Sequence, residues 1–182
     1  MRTSRMIMSH SNLSIRPTRK EDIPEVLDLY NAARIRMRAA GNFGQWINGY
    51  PGEADIQNDI RNGTGFVIER DGAVCGAFAF IVGEDPTYGT IESGNWPNGL
   101  PYGTIHRIAG KEKTHGIFQR CVEYCLTVIP ELRVDTHPDN ALMQHVVEKC
   151  GFARCGIIHL QDGSPRIAYQ LSRSQRSESP EA

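Results

Sequence analysis

The sequence has no long apolar segment and no excess of charge of either sign. None of its 182 residues belong to a run near the roughly 20 apolar residues of a membrane-spanning helix, and residues 1–10 lack the apolar core of a signal peptide. Its 20 Lys and Arg residues are balanced by 21 Asp and Glu residues, so no overall positive field would hold nucleic acid or an anionic membrane. These features predict a cytoplasmic protein that has neither nucleic acid nor a membrane as a partner.

The cysteines follow neither a disulfide nor a metal-site pattern. There are five of them, an odd number, and no pair has the CxxC spacing of zinc ligands. Cys121 and Cys125 lie four residues apart on the apolar face of a predicted helix, where they would pack as small hydrophobic side chains. We therefore expect reduced thiols and no metal.

Hydropathy patterns predict one mixed α/β domain. Two apolar runs flank Asp71-Gly72, a dipeptide typical of β-hairpin turns. Helical periodicity marks residues 23–37, before this hairpin, and residues 117–128, after it. The predicted order over residues 13–171 is β-α-α-β-β-β-α-β-α-β-β, in a single sheet. Residues 1–12 are predicted to be a flexible N-terminus and residues 172–182 a disordered polar tail.

Four segments of this domain stand in a characteristic order: IRP at 15–17 with EDI at 21–23, IHRIA at 105–109, KTHGIF at 113–118, and DN at 139–140 leading to EKCGF at 148–152. Together they resemble the GNAT family of acetyl-CoA-dependent N-acetyltransferases. The resemblance implies an α/β fold of the α+β type, with one mixed, mostly antiparallel sheet of about seven strands, helices on both faces, and a splay between strands four and five. It also implies acetyl-CoA as co-substrate and a primary amine of a small molecule or peptide as acceptor, and leaves a homodimer open.

Residues 113–118 stand where the family has a [Q/R]-x-x-G-x-[G/A] loop that holds the pyrophosphate of coenzyme A. Free amides at a helix start favour a phosphate, and Gly116 would let it approach the backbone. Lys113 and Phe118 depart from the family pattern, and Gly116 could instead be a simple hinge between loop and helix. The resemblance further implies that the cofactor pairs with strand four. The expected cofactor-binding residues are Ile108, Ala109, Gly110, Lys113, Thr114, His115, Gly116, Ile117, Phe118 and Asn140.

The catalytic residues are less well defined by the sequence. Many family members protonate the leaving thiolate with a tyrosine on the last helix, but that position is Val147 here. A non-catalytic acyl-CoA-binding or sensor domain on the same fold is therefore the alternative function. His106 and His137 lie near the expected splay and could relay a proton from the amine through water, although a histidine at such positions can also be packed and hydrogen-bonded.

Aromatic side chains in two predicted loops are candidates for acceptor binding. Trp46 and Tyr50 lie between the first two helices, and Trp96 lies in the long excursion at 84–101. Their rings could form the walls of a pocket for an amine, or could pack in small local clusters.

Overall fold

Seven strands, five α-helices and two short 3-10 helices (Lys20–Asp22 and Pro86–Tyr88) make up the regular structure of residues 12–176, the part of the chain that the computed structural model describes. The strands are β1 (Leu13–Pro17), β2 (Gly65–Arg70), β3 (Ala73–Val82), β4 (Gly103–Gly110), β5 (Glu131–Thr136), β6 (Ala153–His159) and β7 (Pro165–Ser172). The helices are α1 (Ile23–Ala39), α2 (Glu53–Asn62), α3 (Ile117–Val128), α4 (Ala141–Lys149) and α5 (Arg173–Arg176). All the strands belong to one sheet, in the order β1-β2-β3-β4-β5-β7-β6.

The sheet opens between β4 and β5, its one parallel pair within the described residues. These two strands pair only through Gly103 with Leu132 and Thr104 with Arg133, and then diverge. All the other neighbouring strands are antiparallel. The predicted seven-stranded, mostly antiparallel sheet with a splay between strands four and five is therefore confirmed.

The hairpin between β2 and β3 forms for the local reason that the sequence suggested. Asp71 has φ 53° and Gly72 has φ 79°, so both residues of the two-residue turn are left-handed. This backbone matches the right-handed twist of the strands, and Asp-Gly adopts it at low cost.

Helices cover both faces of the sheet, as expected. On one face, α3 and α4 pack on a core that includes Phe78, Ile105 and Val134. On the other face, α1 and α2 pack on a core that includes Val67 and Ala77. Because side chains alternate along a strand, β5 sends Leu132 and Val134 to the α3 side and Arg133 and Asp135 to the opposite side.

The ordered chain extends past the predicted domain boundary at residue 171. β7 continues to Ser172, and the backbone N–H of Arg173 at the start of α5 donates to the carbonyl of Pro130, at 2.8 Å. The guanidinium of Arg173 also donates to the carbonyl of Leu126. The predicted tail therefore begins too early, because these contacts fix its first residues. The rest of the predicted tail and of the flexible N-terminus lies outside the described residues.

All five cysteines are free, and Cys121 and Cys125 are fully buried in the core between α3 and the sheet. Their predicted role as small packing residues is confirmed. In residues 12–176, none of the helices is both long enough and apolar enough to cross a bilayer.

Candidate active site

A cleft of about 1050 Å³ opens where β4 and β5 diverge. Its walls are the C-terminal half of β4, the loop that leads into α3, the start of α4 and the loop between α1 and α2. Every residue predicted for the site lines this cleft except His137 and Trp96.

A β-bulge bends β4 at the centre of the cleft. Ala77 and Ala79 on β3 face Ala109 and His106 on β4, so β4 carries one extra residue in this interval. Arg107 occupies the bulge with φ 52°. No local sequence pattern marks this bulge, because it depends on the register of two strands about 30 residues apart in the chain.

Arg107 ties the bulge to the α2 side of the sheet. Its guanidinium lies 2.6 Å from Oδ1 of Asp59 and donates to the hydroxyl of Tyr50, at 3.1 Å. The side chains of Arg107 and Asp59 are 14% and 7% exposed. Removing one partner of such a pair would leave the other buried and uncompensated.

The open edge of β4 presents backbone groups to the cleft. The N–H of Lys111 donates to the carbonyl of Cys75 on β3, whereas the carbonyl of Gly110 accepts from Arg36 on α1, at 2.8 Å. Since backbone groups alternate in direction along a strand, Gly110 and Ile108 direct theirs away from β3. An extended ligand can pair with this edge as an added strand.

The start of α3 has the features of a phosphate site. Gly116 precedes the helix with φ 81°. The first hydrogen bond of the helix runs from the N–H of Arg120 to the carbonyl of Gly116, at 2.9 Å. The amides of residues 117–119 therefore have no partner within the helix, and the positive end of the helix dipole adds to their attraction for an anion. Phe118 sends its ring into the core against Phe152, at 5.8 Å between centroids, so its departure from the family pattern leaves its backbone free.

Asn140 lines the cleft, but both polar atoms of its side-chain amide form hydrogen bonds within the protein. Its Oδ1 accepts from the N–H of Met143, which caps α4, and its Nδ2 donates to Oε1 of Gln45, at 2.8 Å. Gln45 belongs to the loop between α1 and α2. The predicted cofactor contact thus coincides with a side chain that joins α4 to this loop.

The same loop carries Trp46 and Tyr50 to the cleft. Arg38 on α1 donates to the carbonyls of Asn42, Gln45 and Trp46. Trp46 is 9% exposed and meets Tyr30 edge to face, at 5.5 Å. Tyr50 is 40% exposed at the rim. Both residues are positioned as walls of the cleft.

His106 faces a carboxylate from the long excursion after β3. Its Nε2 lies 3.4 Å from Oδ2 of Asp85, and the N–H of Asp85 donates to the hydroxyl of Tyr102. The hydrogen bond to His106 lowers the pKa of Asp85, with support from the N–H of Thr87. Asp85 is therefore a carboxylate at neutral pH and can orient the imidazole.

A cluster of three polar side chains lies on the same face of the cleft: Tyr88, Asp135 and Arg166. The hydroxyl of Tyr88 donates to Oδ2 of Asp135, at 2.6 Å, and Nε of Arg166 lies 4.0 Å from Oδ1 of Asp135. Burial raises the pKa of Tyr88 well above its usual value, so it stays protonated. The alternation of apolar and polar residues in β5 was the one sequence signal that could have placed Asp135 here.

His137 lies outside the cleft lining. Its Nδ1 accepts from the N–H of Asp139, at 3.1 Å, and its ring packs against Gly44, where an added Cβ would lie 2.6 Å from Nε2. Burial lowers the pKa of His137, so it is neutral at pH 7. His137 does not itself line the cleft, because the turn before α4 directs its ring against Gly44 of the loop between α1 and α2, and a proton relay through it stays a prediction.

Trp96 also lies outside the cleft. Its Nε1 donates to the carbonyl of Tyr88, at 2.9 Å, and the guanidinium of Arg133 lies 3.8 Å from its ring centroid. The structure thus supports the packing interpretation of Trp96. The side chain of Trp96 therefore does not reach the cleft to contact an acceptor, because the excursion at 84–101 folds back over β5.

α4 presents no proton donor to the cleft. Val147, which stands at the position of the family tyrosine, is fully buried in the core on the α3 side. The helix lines the cleft through Ala141, Leu142, Met143 and Val146, and none of these side chains can donate a proton.

Comparisons with known proteins agree with this arrangement. A sequence model described as "Acetyltransferase (GNAT) domain" matches residues 12–153. A GNAT-family acetyltransferase from Streptococcus agalactiae is 34% identical, and the match covers 88% of this chain and 95% of that one with a TM-score of 0.81. A comparison with curated proteins gives no significant match.

More distant structures share the fold. A GNAT-family acetyltransferase from Listeria monocytogenes is 18% identical, with 88% and 94% of the two chains covered and a TM-score of 0.63. AAC(6')-Ib, solved with ribostamycin and coenzyme A, is also 18% identical, with 93% and 98% covered and a TM-score of 0.64.

The splayed sheet and the free amides at the start of α3 are the arrangement that the resemblance implied for an acyl-CoA-dependent transferase. The chain belongs to the GNAT family of acetyltransferases. Its activity class is accordingly N-acetyl transfer, as the resemblance in the sequence implied.

Proposed function

We propose that this protein transfers the acetyl group of acetyl-CoA to a primary amine of a small molecule or peptide. The observation that carries the proposal is the chemical difference between the two sides of the cleft. On the α3 side lie free helix amides and apolar side chains, which suit the cofactor. On the opposite side lie a histidine and several acidic groups, which suit an amine.

The cofactor side fits coenzyme A in three respects. The amides before and within the first turn of α3 suit the pyrophosphate, with Lys113 and His115 in the preceding loop. The open edge at Ile108 and Gly110 suits the amide groups of the pantetheine arm. Met143 and Val146 offer the arm an apolar wall.

The acceptor side supports deprotonation of an arriving ammonium. Asp85 and Asp135 attract the cation, and His106 accepts its proton directly or through water. The neutral nitrogen then attacks the thioester carbonyl carbon, the C–N bond forms, and the C–S bond breaks as CoA thiolate leaves. The nitrogen loses its remaining extra proton, which passes through water to the thiolate and gives CoA thiol. A thiol pKa near the cysteine value of about 8.5 makes this thiolate a good leaving group without a donor from α4.

The test is release of CoA thiol from acetyl-CoA in the presence of a panel of primary amines and short peptides. We expect steady turnover with at least one acceptor. A non-catalytic acyl-CoA sensor, which the lack of a donor on α4 favours, would bind acetyl-CoA without releasing thiol.

Replacing the proposed base provides a mechanistic check. His106→Gln should lower kcat/KM about 100-fold or more, the contribution typical of a general base. His159→Gln is the matched control, since His159 is exposed on β6 away from the cleft. An unchanged kcat/KM in His106→Gln would assign the proton transfer to water.

A further inference from the structure

Arg166 is a buried cation on the acceptor side of the cleft. It is the second residue of β7, is 6% exposed and lines the cleft. Its neighbour Ile167 packs into the core on the α3 side. Because side chains alternate along a strand, Arg166 points to the face opposite the phosphate-binding end of α3. An anion bound by Arg166 therefore belongs to the acceptor and not to the cofactor pyrophosphate.

The protein compensates the charge of Arg166 only in part. Its nearest described carboxylate is Asp135, 4.0 Å away, and the other oxygen of that carboxylate already accepts the hydroxyl of Tyr88. Its Nη1 donates to two neutral groups, the carbonyl of Pro165 and the hydroxyl of Ser164, and that hydroxyl itself donates to Oδ1 of the exposed Asp162. Burial lowers the pKa of Arg166, the direction expected when partners do not fully replace lost water.

A chain of contacts through Tyr88 and Asp135 links this guanidinium to the proposed base. The rings of His106 and Tyr88 are 6.5 Å apart, the Tyr88 hydroxyl lies 2.6 Å from Asp135, and Asp135 lies 4.0 Å from Arg166. Two carboxylates, Asp85 and Asp135, and one cation, Arg166, therefore lie on one face of the cleft. Such a face is complementary to a molecule that carries an ammonium and a carboxylate a few bonds apart.

We propose that Arg166 binds a carboxylate of the acceptor, so that the preferred acceptors are amino acids or similar amines that also carry a carboxylate. The inference rests on the proposed acetylation of a primary amine. Asp135 and Asp85 then hold the ammonium end, and Arg166 orients the amine towards His106. Arginine suits this role because its planar fork matches a carboxylate.

The experiment compares three matched forms of each acceptor: the L-amino acid, its amide and its decarboxylated amine. We expect the parent protein to use at least one free acid at least tenfold better, in kcat/KM, than its amide or decarboxylated form. Arg166→Gln should lower kcat/KM for that acid by about 10- to 150-fold, mainly through KM, since a hydrogen bond to a charged group is lost. The amide should change less than threefold, and Arg166→Lys should restore part of the preference.

Arg154→Gln is the matched control, because Arg154 is exposed on neighbouring β6 and the change in net charge is the same. Melting curves and the Kd for acetyl-CoA report whether Arg166→Gln remains folded. If it does not, the ratio of acid to amide in the parent protein and in Arg166→Lys decides the question.

Equal use of acid and amide by the parent, or an equal loss for both in Arg166→Gln, would overturn the carboxylate site and leave Arg166 as a structural partner of Asp135. Amine acetylation itself would stand in that case, because thiol would still be released. Binding of acetyl-CoA without thiol release for any amine would overturn both proposals.

Discussion

Gly116 offers a sharp test of how α3 binds the cofactor. It stands directly before the helix with φ 81°, a region that costs a residue with a Cβ about 1–2 kcal/mol. A valine there would also put two methyl groups beside the free amides of the first turn. Gly116→Val should therefore lose stability and, in addition, affinity for acetyl-CoA.

A second glycine separates these two effects. Gly63 ends α2 with φ 66°, has no atom within 4 Å of an added Cβ, and does not line the cleft. Gly63→Val should lower the free energy of unfolding by a similar amount, about 1–2 kcal/mol. Its affinity for acetyl-CoA should match that of the parent, since both variants share the backbone strain but only one touches the phosphate site.

The magnitude follows from the hydrogen bonds at stake. A bond from an amide to a charged phosphate contributes about 1.5–3 kcal/mol, so losing one weakens binding by about 10- to 150-fold. Calorimetric titration of each folded variant with acetyl-CoA measures the difference. If Gly116→Val binds acetyl-CoA within threefold of Gly63→Val, the pyrophosphate is not held at the start of α3.

Two further predictions concern packing and pH. Trp46→Phe should raise the acceptor KM several-fold with little change in acetyl-CoA affinity. Trp96→Phe should leave both quantities unchanged but lower the free energy of unfolding by about 1 kcal/mol, since it loses the hydrogen bond to the carbonyl of Tyr88. Kinetics and chemical denaturation measure these effects, and a raised acceptor KM in Trp96→Phe would contradict the assignment. Asp22 forms two bonds of 2.7 and 2.9 Å with Arg16, which lower its pKa. Its stabilisation is therefore complete above the unfolded pKa of about 3.9 and is lost as the pH falls through the lower folded value. Asp22→Asn should destabilise the protein at pH 7 and by less below about pH 4; a difference that is constant with pH would refute this.

The fold could be predicted because its determinants are local. The continuous apolar run of β3, the Asp71-Gly72 turn and the apolar stripe of α3 each act within a few residues, and their order matches one topology. Local signals were weaker at α4. Proline is common at a helix start, but α4 begins after Pro138, at Ala141, because the side chain of Asn140 caps the helix.

The site could be predicted only where it is built from backbone. Gly116 and the open edge of β4 depend on short segments, and sequence order placed them together. The polar face instead joins His106, Asp85, Asp135 and Arg166 from separate elements. Their proximity depends on the strand register and on the fold of the 84–101 excursion, which no local pattern specifies.

The missing donor on α4 leads to a last prediction. Val147 is fully buried in the core on the α3 side, so a tyrosine there has no room to reach the cleft. Val147→Tyr should lower the free energy of unfolding by about 1–3 kcal/mol through overpacking, without a gain in rate.

Met143 is the informative position on this helix, because it lines the cleft and is only partly buried. If the thiolate leaves unaided, as a thiol pKa of about 8.5 allows, Met143→Tyr should keep kcat within about tenfold of the parent, while Met143→Phe controls for ring size. A rise of 100-fold in the tyrosine variant alone would show that the parent reaction lacks an acid. Protonation of the thiolate would then limit the rate, and the acceptor side of the cleft would not be sufficient for catalysis.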